Sequence, residues 1–211
     1  MRRFRIADLL VEVPAHIYPP SDDTFLLMKL LDRQVQSKPL KRSIRFLEVG
    51  CGSGLIAIYA RRLFSPATIF ATDISINALR TSIRNVLRNG ENLKDYRFVN
   101  ADLCHCFSSS AKFDYVLINP PYLPANQTWV SLDPLKTAVE GGPSGVEILN
   151  SFIAGVLERL SAKNIAYVYS TFLEGLIDTE RLCQCGYEIQ DCVDQIFANE
   201  KLTAILWKQS S

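Results

Sequence analysis

The sequence predicts an α/β protein with a seven-stranded, mostly parallel sheet, helices on both of its faces, and an antiparallel hairpin at the C-terminal end. Three observations carry this. From residue 44 to residue 171 short apolar runs alternate with helical patterns, and strands separated by helices pair in parallel with the helices packed over them. The last two strand-like runs, 187–197 and 201–208, are joined only by Ala198, Asn199 and Glu200, a connection too short for anything but an antiparallel return. Finally, 211 residues with 48% hydrophobic and 21% charged composition suffice for one well-buried core and are short for two. The expected organisation is therefore a single domain, with an N-terminal segment and helix over 1–43 and a Rossmann-like core over 44–211.

Taken in order, the opening MRRFRIADLLVEV carries arginines, but Asp8 and Glu12 interrupt any apolar stretch that could act as a signal peptide. No window approaches the roughly 18 apolar residues of a membrane span, so a cytoplasmic protein is expected. Residues 21–36 read as a helix capped by Ser21 or Asp22, with Phe25, Leu26, Met28, Leu30 and Leu31 as its apolar face. The polar, basic stretch 35–43 around Pro39 is the nearest thing to a linker. A buried strand over 44–50 leads to a helix over 54–64, a strand over 68–73, and a helix over 75–89 that turns Leu79, Ile83, Val86 and Leu87 inward. Strands over 96–102 and 113–119, a helix from about 144 to 160, and a strand over 165–171 complete the alternation.

Charge and cysteine content restrict the function classes. Lys+Arg 23 against Asp+Glu 22 leaves a net charge of +1, which gives little counterion-release drive toward a polyanion. Arg80, Arg84 and Arg88, spaced i, i+4, i+8, read first as a solvated helix face; the alternative is a face toward an acidic partner or ribosomal RNA. The cysteines at 51, 104, 106, 183, 185 and 192 do not form a disulfide framework for a chain of this size. Cys104-His105-Cys106 and Cys183-x-Cys185 lack the spacing of a zinc knuckle and a second histidine nearby, so buried or half-buried free thiols and no metal are expected.

The chemistry concentrates at strand ends. The first core strand runs directly into Gly50-Cys51-Gly52-Ser53-Gly54, where glycines allow a tight turn and close approach of a ligand. The final glycine of the dinucleotide fingerprint is missing, and no Gly-Lys-Ser/Thr follows, so this is not a P-loop. Glu48 stands two residues before the first glycine and suits a cationic ligand better than a pyrophosphate. Asp73 ends the next strand, where a carboxylate can accept both hydroxyl hydrogens of a ribose. Asp102 ends the third and is either a turn residue or, with Leu103, a neighbour of an adenine ring. The strongest signal is Asn119-Pro120-Pro121-Tyr122 after the fourth strand. Two prolines lock the backbone and remove two amide donors, Asn119 offers one acceptor and two donors, and Tyr122 can cover a planar group.

These residues resemble the class I S-adenosylmethionine-dependent methyltransferases acting on planar nitrogens, and within them the HemK family of protein glutamine methyltransferases. The short branch acting on the class 1 release factor of eukaryotes and archaea is the nearest pattern. The match rests on Tyr18–Leu27, Glu48–Gly54, Asn119–Tyr122 and Gly141–Glu147, and the strand pattern extends it to about residue 207. It departs at Pro19, where the family usually has an acidic residue. The resemblance implies that Thr24, Glu48, Gly50, Asp73, Asp102, Leu103 and Asn119 line S-adenosylmethionine, with S-adenosylhomocysteine as product. It implies that Asn119, the Pro120 carbonyl and Tyr122 orient the glutamine of a Gly-Gly-Gln motif, with no dedicated general base. It also implies a heterodimer with a small zinc-binding activator protein, for which the strand 96–102 is the expected docking edge.

Two other readings stand beside this one. An N6-adenine or N2-guanine methyltransferase acting on DNA or ribosomal RNA could use the same Asn-Pro-Pro-Tyr, since an exocyclic amine is also planar and conjugated. Such enzymes extrude a base and usually carry a recognition domain or basic surface, for which this sequence leaves little room, so nucleic acid is the less favoured substrate. A non-catalytic binding subunit would be expected to have lost acids or the tetrapeptide, and none is lost.

Overall fold

The computed structural model describes residues 1–36, 43–125, 135–197 and 200–210. It opens with an antiparallel hairpin, β1 (Arg2–Ile6) and β2 (Leu9–Val13), followed by the helix α1 (Asp22–Gln36). Next come β3 (Ile44–Val49), α2 (Leu55–Leu63), β4 (Ala67–Asp73), α3 (Ile76–Arg88), β5 (Tyr96–Asn100) and β6 (Ala111–Ile118). Short pieces β7 (Leu123–Pro124), α4 (Lys136–Val139) and β8 (Glu140–Gly142) lead to α5 (Glu147–Arg159) and β9 (Leu160–Ser170). The helix α6 (Thr179–Gln184) and the strands β10 (Tyr187–Ile196) and β11 (Lys201–Gln209) end the chain.

The main sheet has seven strands in the order β10-β11-β9-β6-β3-β4-β5. β5, β4, β3, β6 and β9 are parallel; β11 runs antiparallel to β9, and β10 to β11. The chain winds outward from β3 to β5, then crosses back to β6 on the other side of β3. Such a reversal leaves a crevice beyond the carboxyl ends of the strands, where open α/β sheets bind ligands. Register aligns those ends in one row: Val49 pairs with Thr72 and with Ile118, and Asp73 with Asn100.

Alternation along the strands divides the core. On one face Phe46 and Ile69 pack with Leu27, Leu30 and Leu31 of α1 and with Ile58 of α2. On the other, Leu47, Val49 and Val116 pack with Phe152, Ile153 and Val156 of α5 and with Tyr167. Among the described residues, no helix is long and apolar enough to cross a membrane.

Several expectations shift. Residues 1–13 carry a period-two pattern, with Leu9, Val11 and Val13 buried, and form a hairpin that the sequence reading left unassigned. That hairpin explains the inward face of α3. Leu87 is 54% exposed, not buried, while Asn85 is fully buried. Asn85 and Asn89 each bond both the N–H and the C=O of one β2 residue, Glu12 and Leu10 respectively, so two side chains continue the hairpin ladder. Phe25 is 39% exposed, and Leu27 takes the core position expected of it. The strand expected over 96–102 stops at Asn100, and β9 begins at Leu160, five residues before its expected start at 165. α5 starts at Glu147 because the Glu147 carboxylate accepts from Ser144 N–H and Gly145 N–H and holds residues 144–146 as a loop. Cys51 and Cys104 are buried free thiols, but the other four cysteines are exposed, against the expectation. Arg80, Arg84 and Arg88 lie on an exposed face, with Arg88 paired to Glu12 at 2.6 Å. Residues 37–42 of the linker segment and Ala198–Asn199 of the last turn lie outside the described residues.

Candidate active site

The loop between β3 and α2 needs its glycines for backbone conformation. Gly50, Gly52 and Gly54 have φ of 72°, 51° and 78°, a left-handed region that residues with a Cβ adopt only at a cost. Gly54 also has no space: an added Cβ would sit 2.1 Å from Ser82 Oγ on α3. The loop is closed by Cys51 N–H donating to Thr72 C=O at 2.9 Å and Gly54 N–H to Cys51 C=O at 2.7 Å.

Glu48, at the end of β3, is 4% exposed, and its Oε2 has no hydrogen-bond partner. Burial pushes its carboxyl well above the usual carboxylate range, against a stabilising backbone bond from Ala57, and the charge of Asp73 pushes it further. A buried acceptor without a partner, facing a cavity, is poised for a ligand that brings a donor or a positive charge. Its cost in the free protein is measurable. Because the folded carboxyl titrates above its ordinary value of 4.5, the stability linked to its proton is full below pH 4.5 and is lost as pH rises toward the folded value. Glu48→Gln should therefore raise stability at pH 7 by about 1–3 kcal/mol. That is a Tm increase of about 2–4 °C per kcal/mol. The gap should close toward pH 4.5, and scanning calorimetry at both pH values checks it.

Asp73, half-buried at the end of β4, is fixed by two backbone donors. Gly52 N–H lies 2.9 Å from Oδ2 and Ser75 N–H 2.8 Å from Oδ1. These bonds oppose the upward pull of burial on its pKa. Each oxygen keeps a second lone pair for an outside donor. Beside it, Asp102 is exposed at the cavity lip; its carbonyl accepts from His105 N–H at 3.1 Å, so it also serves as a turn residue. Leu103 is held at φ 47°, a conformation unusual for a residue with a side chain and common at ligand sites.

All these groups line one cavity of about 650 Å³ along the carboxyl edge of the sheet. Thr24, Glu48 and Gly50 contribute from α1 and β3, Asp73, Asp102 and Leu103 from the ends of β4 and β5, and Asn119 from the end of β6. Pro121 of the tetrapeptide lines it as well. Pro120 and Tyr122 line a second cavity, of about 50 Å³, with Tyr18 and Asp23. Tyr18, Asn119, Pro121 and Ala138 border both. The seven residues expected to hold a cofactor are thus gathered in the large compartment, and Asn119 separates it from a small one.

The tetrapeptide is braced from behind by the Gly141–Glu147 segment. A Cβ on Gly141 would lie 2.6 Å from Pro121 C=O, and one on Gly145 2.6 Å from Tyr122 C=O, so only glycine permits this backbone-on-backbone packing. Burial, then the nearby Asp23 carboxylate, push the Tyr122 phenol far up, so it stays neutral at working pH.

Sequence reading missed Tyr18 and Asp23 as site residues. Asp23 is 2% exposed and accepts from Tyr18 Oη–H at 3.0 Å and from Thr24 N–H at 2.5 Å and Oγ–H at 3.1 Å. Burial raises its carboxyl, and hydrogen bonds from Thr24, Tyr18 and Asn119 oppose the shift. The available signal was an acidic residue one position before Thr24 in a helix whose first turn already had Asp22 for capping. The Asn119 Nδ2–H points to Thr24 Oγ1 at 3.4 Å, and Asn119 Oδ1 is buried with no partner.

Comparison with known proteins places this geometry. Residues 22–135 match the methyltransferase small domain family. A Methanocaldococcus jannaschii protein, named as a candidate protein N5-glutamine methyltransferase, is 29% identical over 187 residues, covering 88% of each chain. Methyltransferase HEMK2 of Mus musculus is 28% identical over 188 residues, covering 82% of this chain and 86% of its own. Among solved structures, the E. cuniculi Mtq2–Trm112 complex, responsible for methylation of the eRF1 translation termination factor, contains a chain that superposes with a TM-score of 0.66. That chain is 25% identical, and the match covers 92% of this chain and 99% of that one.

Proposed function

The chain belongs to the methyltransferase small domain family, and from that premise we propose that it methylates the side-chain nitrogen of the glutamine in the Gly-Gly-Gln motif of a class 1 release factor. The HemK resemblance, the Methanocaldococcus jannaschii relative named for glutamine methylation and the neighbour named for methylation of a translation termination factor support this acceptor. One observation carries it at the site. A buried, unpartnered Asn119 Oδ1 lies between a compartment large enough for a nucleoside-sized cofactor and one small enough for a single side chain.

S-adenosylmethionine supplies an electrophilic methyl group carried on a sulfonium. Asp73 would accept from its ribose hydroxyls and Asp102 and Leu103 would flank the adenine, while Glu48, Gly50 and Thr24 line the remainder of the cavity. The donor set fits such a ligand: the free lone pairs of Asp73 and the orphaned Glu48 Oε2 both await donors or positive charge. On the other side, an amide nitrogen is a weak nucleophile because its lone pair is shared with its carbonyl. Asn119 Oδ1 and the Pro120 carbonyl accept its two hydrogens and hold the nitrogen in one orientation. Tyr122, a neutral phenol, fixes the plane of the amide. Catalysis then rests on orientation and on preorganised acceptors, and the proton displaced from nitrogen leaves to water or a neighbouring carbonyl.

Among the described residues β5 and β10 are the two edge strands of the main sheet, and β5 is the one beside the carboxyl-end residues Asp73 and Asn100. We assign the β5 edge to a small zinc-binding activator protein, as the family resemblance implies; the Mtq2–Trm112 complex supports a partner protein as such, and we place the protein in the cytoplasm with its substrate. The test is mass spectrometry of purified release factor after incubation with the protein and S-adenosylmethionine, with and without such a partner. A single methyl on the Gly-Gly-Gln glutamine is expected, faster with the partner. Methylation at other residues only, or none in either arm, contradicts the assignment.

A further inference from the structure

We propose that Asp23 is a positioning residue. Through the Thr24 hydroxyl it fixes which end of the Asn119 amide faces the acceptor. The inference rests on the function given above and concerns a device within that site.

The available hydrogens and lone pairs fix the orientation. An ionised carboxylate only accepts, a hydroxyl has one hydrogen and two lone pairs, and an amide side chain has a donating and an accepting end. Asp23 Oδ1 accepts from Thr24 Oγ1 at 3.1 Å, so the single hydroxyl hydrogen of Thr24 is committed to Asp23. The two lone pairs of Oγ1 are then the only groups left on it. One receives Ser21 N–H at 3.4 Å, and the other Asn119 Nδ2–H at 3.4 Å. Rotating the Asn119 amide by half a turn would set its oxygen against an oxygen with no hydrogen to give. The Asp23 carboxylate, which also faces the amide, repels that oxygen too. The nitrogen end is therefore held toward Thr24, and the oxygen end is left without a partner, as observed. An acceptor amide needs that oxygen: a flipped Asn119 would turn an N–H toward another N–H. Tyr18 completes the arrangement, since its hydroxyl donates to Asp23 Oδ2 at 3.0 Å and helps keep the carboxylate ionised in a buried place.

Three variants and a spectrum test this. Thr24→Val keeps the shape and removes the hydroxyl; Asp23→Asn can donate toward Oγ1 and lets the hydroxyl turn. Each should lower kcat about tenfold or more, and in Asp23→Asn, whose residue lines only the small cavity, the affinity for S-adenosylmethionine should change by less than about threefold. Thr24→Ser, which retains a hydroxyl, should recover most of the kcat lost in Thr24→Val. The second readout needs no turnover. In the free protein the Asn119 side-chain amide, identified in a ¹⁵N spectrum by its loss in Asn119→Ala, should give one slowly exchanging pair of signals. In Thr24→Val and Asp23→Asn that pair should exchange faster and shift. If wild-type protein fails to methylate glutamine, the function is wrong, and the spectrum alone decides this inference. Unchanged amide signals in both variants overturn it, as do variants in which kcat, cofactor affinity and Tm fall together while KM rises.

Discussion

Asn119→Ala is expected to lower kcat by about 10²–10³-fold while S-adenosylmethionine binds within a few-fold of wild type. Asn119 borders both compartments, and its Nδ2 already has a partner in Thr24. Its free oxygen has work to do only when an acceptor nitrogen is present. Removing it takes away an acceptor that the reacting nitrogen needs and leaves the Asp73 and Glu48 groups untouched. The loss therefore falls on the rate. Single-turnover measurement together with calorimetric binding separates the two quantities. Wild-type turnover in this variant would reduce Asn-Pro-Pro-Tyr to a structural turn.

Asp73→Ala is expected to act on binding. Hydrogen bonds to a charged group contribute roughly 1.5–3 kcal/mol each, so losing two to a ribose should weaken the cofactor by at least about 10²-fold. The same carboxylate holds Gly52 N–H and Ser75 N–H, which adds a loss of loop order to the loss of contact. The fold should survive, because Asp73 lies at the rim, beyond the packed part of β4. Ala71, two residues earlier, is completely buried without it. Circular dichroism should match wild type. Calorimetry showing undiminished affinity would remove the ribose assignment.

Much of this was legible in the sequence, for identifiable reasons. Helices alternating with strands impose parallel pairing, so the parallel core and the closing antiparallel hairpin followed from rhythm, while the strand order did not. That one cavity gathers Gly50, Asp73, Asp102 and Asn119 was legible because a Rossmann-like fold puts strand ends in one row; Thr24, on α1, joins them only through the family resemblance. Other features depended on tertiary partners. Leu87 looked inward on a helical pattern, yet the N-terminal hairpin takes the neighbouring face of α3 through Asn85 and Asn89. Asp23 looked like one more acid in a helix's first turn. Only the approach of Asn119, 96 positions later by number, gives it a role, and no local pattern carries that distance.

The central claim is that the acceptor is a protein glutamine rather than a base. It is tested most directly by methylating three substrates side by side at matched salt: the release factor, its Gln→Ala variant at the Gly-Gly-Gln motif, and adenine-containing DNA. Strong labelling of the release factor alone is the predicted result. Equal labelling of the Gln→Ala variant, or faster labelling of DNA, would contradict it.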